Sequence, residues 1–213
     1  MLHRKFPVFD LEPLHKDRVM LMNTTPPLKE LVPVTPRGEA TRRKLLASAE
    51  IEFGSKGFPA ASVSSITQRA DVGQGTFYLY FHSKEEVFAT LVRDIGAERC
   101  RQIEAVATEP AAGKDGDRRL VSMLLDFVSQ QPGQHRILRE AQFVDEPVFR
   151  EAQEKLFAAV AGVLARSRSM GDSDPSLRAA ALLGAAEHAA LQHCVWGDKP
   201  VGKALVEAVI GIH

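Results

Sequence analysis

The run from Gly73 to Lys84, GQGTFYLYFHSK, gathers side chains suited to reading nucleic acid into one short helix and the turn behind it. Gln74 carries an amide of the kind that pairs bidentately with adenine, and Thr76 offers both a hydroxyl and a methyl group. Gly75, between them, has no side chain to obstruct a close approach. Tyr78 and Tyr80 bring hydroxyls that can donate to phosphate oxygens, and Lys84 sets a positive charge beside a helix N-terminus already favourable to anions. Ser62, at the head of the preceding helix, adds another hydroxyl. The tyrosines and Lys84 would hold the helix in place, and Gln74 would read a base edge. Phe77 and Phe81 point the other way, into a small core with Phe53, Val63, Ile66 and Val72; Tyr78, and with less weight Tyr80, could also belong to that core.

Such a helix needs a scaffold, and the surrounding periodicity supplies one. Leu45, Leu46, Ala49 and Phe53 recur at helical spacing and predict a helix over 38–56 with Gly57 as its stop. A second helix is predicted over 63–70, capped by Ser62; Asp71, Val72 and Gly73 form a turn, and the third helix runs over 74–80. Two short helices across a three-residue turn match a helix-turn-helix, whose second helix fits the major groove, about 12 Å wide. Ser83, Lys84, Glu85 and Glu86 open a long helix to about Ala107, with Ser83 as cap and Glu86 as its capping-box partner.

The stretch resembles the DNA-binding domain of the TetR family of bacterial regulators. Thr41-Arg42, Gly57-Phe58, Ser62-Val63 and Ile66 match that family's pattern, and Gly75 to Glu85 matches its closing run without a gap. The turn departs from it: Asp71 stands where glycine is usual and Gly73 where serine is, so Asp71 must accept a left-handed backbone and Gly73 cannot cap the third helix with a hydroxyl. Thr67 replaces the usual alanine. The resemblance implies a homodimer that binds near-palindromic double-stranded operator DNA, more often as a repressor, and is released by a small molecule.

The rest of the chain predicts helices over 117–130, 134–143, 146–169, 175–196 and 200–211, with no competing strand pattern. The fold expected is all-α: a three-helix head joined by the long helix to a helical body for ligand binding and dimerisation. The division expected is an irregular arm over 1–37, the head over 38–83 and the body over 84–213. The arm holds six of the twelve prolines; it is either a disordered or artefactual extension, with Met20 or Met22 as a later start, or one that touches DNA or a partner subunit.

In the body, Ala179, Ala180, Ala181, Gly184, Ala185 and Ala186 let helices approach closely, which suits either a dimer interface, as the family resemblance implies, or tight packing within one subunit. His135, Arg139 and Gln142 form a polar stripe, which is either a solvated face or, at Arg139 and Gln142, a set of ligand anchors; Arg139 could hold a carboxylate or phosphate. A ligand wedged against Ile95, Arg99 or Ile103 would tilt the long helix, and a hydrophobic or acyl-like compound is expected.

The net charge of zero excludes bulk attraction to nucleic acid, and residues 37–93 hold only eight Lys/Arg against six Asp/Glu, so the motif carries the argument. The two cysteines, Cys100 and Cys194, lack metal or redox spacing, and His188 and His193 fall on different helix faces, so no cofactor or metal is expected. No nucleophile elbow, phosphate loop or zinc-protease motif suggests an enzyme. No secretion signal or membrane span is read, so a cytoplasmic protein is expected. Two readings stand beside the ligand-responsive regulator. One is a DNA-binding adaptor of the same fold that binds a protein, and the other is a helical enzyme with a vestigial head.

Overall fold

The computed structural model describes residues 35–108, 114–166 and 174–211, all within one compact unit, Val32–His213. The expected arm over 1–37 lies outside these residues except for its last three, and so do the loop at Pro110 and the tail of the helix expected to reach 169. The described residues form helices and turns, with no strand among them.

The head consists of α1 (Pro36–Lys56), α2 (Val63–Arg69) and α3 (Gln74–Phe77), and α4 (Lys84–Thr108) leads out of it. The body adds α5 (Lys114–Gln130), α6 (Pro132–Val144), α7 (Glu146–Arg166), α8 (Pro175–Ala190) and α9 (Lys203–Ile210). Two expectations are corrected. Regular α-helix in α3 stops at Phe77, and the backbone continues as a tight turn in which Tyr80 N donates to Phe77 O at 2.9 Å. The helix expected over 175–196 changes after Ala190 into a π-helical turn, Leu191–Val195.

Helix ends follow from local chemistry. Thr35 begins α1 by accepting from Gly38 N at 3.1 Å, and Ser62 and Ser65 cap α2 reciprocally. Asp71 takes the left-handed backbone, φ +52, and Gly73 caps α3 without a side-chain bond, as the sequence requires. Ser83 accepts from Glu86 N at 3.1 Å, but the Glu86 carboxylate reaches one residue further back than a capping box, to His82 N at 2.5 Å and His82 Nδ1 at 2.9 Å.

Phe53, Ile66, Phe77, Phe81 and Phe88 are fully buried and hold the head together. Phe88, one turn into α4, packs edge-on against Phe53 and Phe58, so the long helix begins as part of that core. Within it sits one carboxylate. Glu52 is only 2% exposed, with Lys56 Nζ at 2.6 Å and Arg69 Nε at 2.7 Å, which ties α1 to the C-terminus of α2.

The Lys56 hydrogen bond, working against burial and joined by Arg69, holds the Glu52 carboxyl at a pKa of about 2 rather than 4.5. Since the folded value lies below the unfolded one, the carboxylate's contribution is whole above pH 4.5 and drains away as pH falls towards 2. Glu52→Gln is therefore expected to lower unfolding stability at pH 7 by about 2 to 3 kcal/mol, and the difference from the parent should shrink in urea titrations at decreasing pH across that window. An unchanged gap at pH 3 would sink this account.

Candidate functional site

Helix α3 has one buried side and one open side. Phe77 is fully buried, whereas Gln74, Gly75 and Tyr78 are exposed and Thr76 is half-buried. Tyr78, at 53% exposure, is not a core residue. Tyr80 is half-buried against the core, so its ring packs inward. Leu79, at 66% exposure, belongs to the same open surface and was passed over in the sequence, because an apolar residue inside an aromatic run reads as core. An exposed leucine there can meet a thymine methyl group.

Gly75 has a helical backbone with no positive φ, and a Cβ built on it would meet nothing within 4 Å. Neither conformation nor internal packing asks for glycine at this point, although glycine within a helix costs about 0.5 to 1 kcal/mol relative to alanine. A close approach from outside supplies the missing reason. Ser62 is exposed, but its Oγ is engaged as the acceptor of Ser65 N.

Lys84 is engaged within the protein. Its Nζ donates to Phe58 O at 2.8 Å and Ala61 O at 2.9 Å and lies 4.1 Å from the centroid of the Phe58 ring. The turn between α1 and α2 leaves these carbonyls free of helix partners, and the ammonium satisfies them. No sequence spacing could show this, since the partners lie 26 and 23 residues away.

A seam joins head and body where α1 meets α6. A Cβ on Gly54 would stand 2.9 Å from Gly133 Cα, so glycine at position 54 allows the two backbones to touch here. Gln134 Nε2 donates to Glu50 Oε1 at 2.8 Å, Arg136 Nη1 donates to Ser55 O at 2.7 Å, and Glu140 Oε2 accepts from Phe58 N at 2.6 Å. Gly57, with φ +83, leaves room for that carboxylate, as a Cβ there would come within 2.8 Å of it. Of these seam residues the sequence singled out only Gly57 and Phe58, and neither as a contact of α6.

Beneath the seam a cavity of about 420 Å³ opens among α4 to α8. From α5, α7, α8 and the turn after it come Leu124, Val128, Phe149, Leu156, Leu183 and Leu191, interrupted by the polar Gln153 on α7 and Glu187 and His188 on α8. Helix α6 contributes His135, Leu138, Arg139 and Gln142, and α4 contributes Arg99. Of the expected ligand residues, Arg99, Arg139 and Gln142 are brought together, while Ile95 and Ile103 are not. Both isoleucines are buried in the core and line no part of this cavity. Successive positions four apart drift about 40° around a helix, and only the long Arg99 side chain reaches the opening. His135 Nε2 lies 3.3 Å from Glu187 Oε1 across the cavity.

The chain is similar to known proteins along most of its length. Residues 45–91 match the family model described as bacterial regulatory proteins, tetR family. The HTH-type transcriptional regulator YdgC of Bacillus subtilis (strain 168) is 27% identical over 81% of this chain and 91% of its own length. EthR of Mycolicibacterium smegmatis (strain ATCC 700084 / mc(2)155), another HTH-type transcriptional regulator, is 28% identical over 67% of this chain and 69% of its own. The solved structure of reduced NemR from E. coli superposes with a TM-score of 0.66 at 21% identity, covering 80% of this chain and 94% of that one.

The Lys84 geometry separates two roles. A lysine waiting for phosphate would be replaceable without loss of stability, whereas Lys84→Ala is expected to cost about 1 to 2 kcal/mol by leaving two carbonyl groups poorly satisfied. Urea denaturation in the absence of DNA checks this, and an unaffected midpoint would restore the simpler phosphate role.

Proposed function

Because this chain belongs to the TetR family of bacterial transcriptional regulators and is a DNA-binding protein, we propose that it binds a near-palindromic operator as a homodimer, acts as a repressor, and is released by a small hydrophobic molecule held in the body. The family consists of regulators rather than enzymes. The observation that carries the reading is the two-sided α3, with Phe77 locked in the core and Gln74, Gly75 and Tyr78 left open beside the exposed Leu79. We assign DNA binding to 38–83 and ligand binding and dimerisation to 84–213.

Gln74 reads a base, Gly75 and Thr76 let the backbone and a short side chain come close, and Tyr78 donates to phosphate. Ser62 and Tyr80 contribute their remaining hydroxyl capacity at the edge of the same surface. Lys84 acts mainly by fixing the turn above α2, and its third N–H remains for phosphate.

Dimerisation is supported by the outward side of α8. Ala179, Ala186 and Ala190 are buried within the subunit, while Leu177, Ala180, Ala181 and Gly184 form an exposed stripe, with Val195 and Trp196 exposed beyond it. Leu177 is 72% and Trp196 64% exposed, more apolar surface than a solitary helix face needs. A two-fold dimer would present two α3 helices to half-sites one helical turn, about 34 Å, or a multiple apart.

Release is supported by the two helices that line the cavity and also reach the head. Helix α4 carries Arg99 in the cavity and Phe88 in the head core, and α6 carries Arg139 in the cavity and Glu140 on the seam. The exposed side chains of Arg139 and Gln142 stand at the mouth, which suits contact with an entering molecule.

The operator arm of the proposal is tested by selecting duplexes from a random pool and titrating the best by anisotropy. Gln74→Ala is expected to relax preference at one position of each half-site while leaving affinity for unrelated DNA unchanged. Gly75→Ala should raise unfolding stability by about 0.5 to 1 kcal/mol yet weaken binding to every duplex. Full affinity in the Gly75→Ala protein would remove α3 from the groove.

The dimer arm is read by light scattering, where the parent is expected at twice its 23.4 kDa chain mass. Gly184→Arg, which places a charge in open space on the exposed stripe, should give a folded monomer with much weaker operator binding. A Gly184→Arg protein that stays dimeric would move the interface away from α8.

A further inference from the structure

Arg99 is the half-buried arginine of the cavity lining. Its guanidinium carbon lies 3.8 Å from the centroid of the Phe127 ring, a cation–π contact. Among the described residues it has no hydrogen bond and no ion pair. Burial pushes its pKa down to about 10, and the carboxylate of Glu187 offsets this only in part. A guanidinium stays charged in proteins and offers five donors in a planar fork, so a half-buried one that lines a cavity without a hydrogen-bond partner suits an anion.

The second cation of the cavity differs. Arg139 is exposed at the mouth, where water serves its donors, so it has no such requirement. Glu187 already stands in the field of both arginines and is bonded to His135. The two arginines of the lining outnumber its one carboxylate by a single positive charge. That balance favours a monoanion over a doubly charged phosphate.

We propose that the effector is a monocarboxylate with an apolar body, and that Arg99 holds its carboxylate through a paired, two-pronged hydrogen bond while the Leu124, Leu138, Phe149 and Leu156 side of the cavity holds the body. The proposal rests on the reading of the cavity as an effector site. A planar carboxylate matches the guanidinium fork, and the low-dielectric surroundings strengthen the pair. The placement of Arg99 gives the anion a purpose beyond affinity. Lys84, fifteen residues earlier on α4, holds the turn of the head, so one rigid helix of about 22 Å between them links the anion to that turn.

The probes are straight-chain monocarboxylates of six to twelve carbons and the primary alcohols of the same lengths, tested on the full chain by calorimetry and thermal shift. At least one acid is expected to bind about tenfold or more tightly than its alcohol, and to weaken operator binding in the same preparation. Arg99→Gln should bring that acid down to the level of the alcohol, and Arg99→Lys should recover part of the difference through charge alone. Arg139→Gln should keep most of it.

Equal binding of acid and alcohol by the parent overturns the proposal, as does an acid preference that survives Arg99→Gln or is lost only with Arg139→Gln. Alcohols that bind while no acid does would overturn it and leave the cavity reading standing. If neither series binds, both fail together. Should Arg99→Gln not fold, a failure of Arg99→Lys to weaken the acid overturns the two-pronged bond by itself.

Discussion

The backbone contact between Gly54 on α1 and Gly133 at the start of α6 is the constraint on which the arrangement of head and body depends. Any side chain at Gly54 would bring a Cβ to 2.9 Å from Gly133 Cα, so the two helices could not close. Once they close, Arg136 reaches the carbonyl end of α1, where a cation is favoured, and Glu140 meets the amide of Phe58. Gly133, Arg136 and Glu140 follow helical spacing along one side of α6, while His135, Leu138, Arg139 and Gln142 line the cavity from another. One short helix thus has a head side and a cavity side.

The cations of α4 show how burial decides a role. Lys84 is surrounded by acceptors that the chain itself provides, and its charge is spent on architecture. Arg99 is half-buried too, beside the Phe127 ring, and among the described residues it makes no hydrogen bond or ion pair. Enclosing a charge without a partner is unfavourable, and a sequence retains it only where something else answers it. The same reasoning separates Gly75 from Gly54: packing inside the protein explains the second and not the first.

Much of the fold was legible in the sequence because its signals are local. The apolar spacing of Leu45, Leu46, Ala49 and Phe53, the stop at Gly57 and the caps at Ser62 and Ser83 each act within a few residues, and the helices lie where these signals place them. Asp71 also announced its left-handed backbone by standing where glycine is usual. The seam and the Lys84 clamp were illegible for the opposite reason. Glu140 and Phe58 are 82 residues apart, and no periodicity registers a partner chosen by tertiary packing. Ile95 and Ile103 misled because apolar residues on the inner side of α4 read alike whether they face a cavity or a filled core.

The energetics of the seam are suited to a switch. A hydrogen bond contributes about 0.5 to 1.5 kcal/mol net, and those to charged groups about 1.5 to 3. The seam bonds of Gln134, Arg136 and Glu140 therefore hold the head firmly enough to give α3 a defined position. Allosteric coupling of about 1 to 3 kcal/mol, a 5- to 150-fold change in affinity, corresponds to the loss of only one or two such bonds. A molecule in the cavity needs no large displacement to achieve this, because packed helices with glycine contacts have little room to deform gradually and respond by exchanging one set of contacts for another. On the proposed reading reciprocity follows: the factor by which a molecule in the cavity lowers operator affinity is the factor by which bound operator lowers the affinity of the cavity for that molecule.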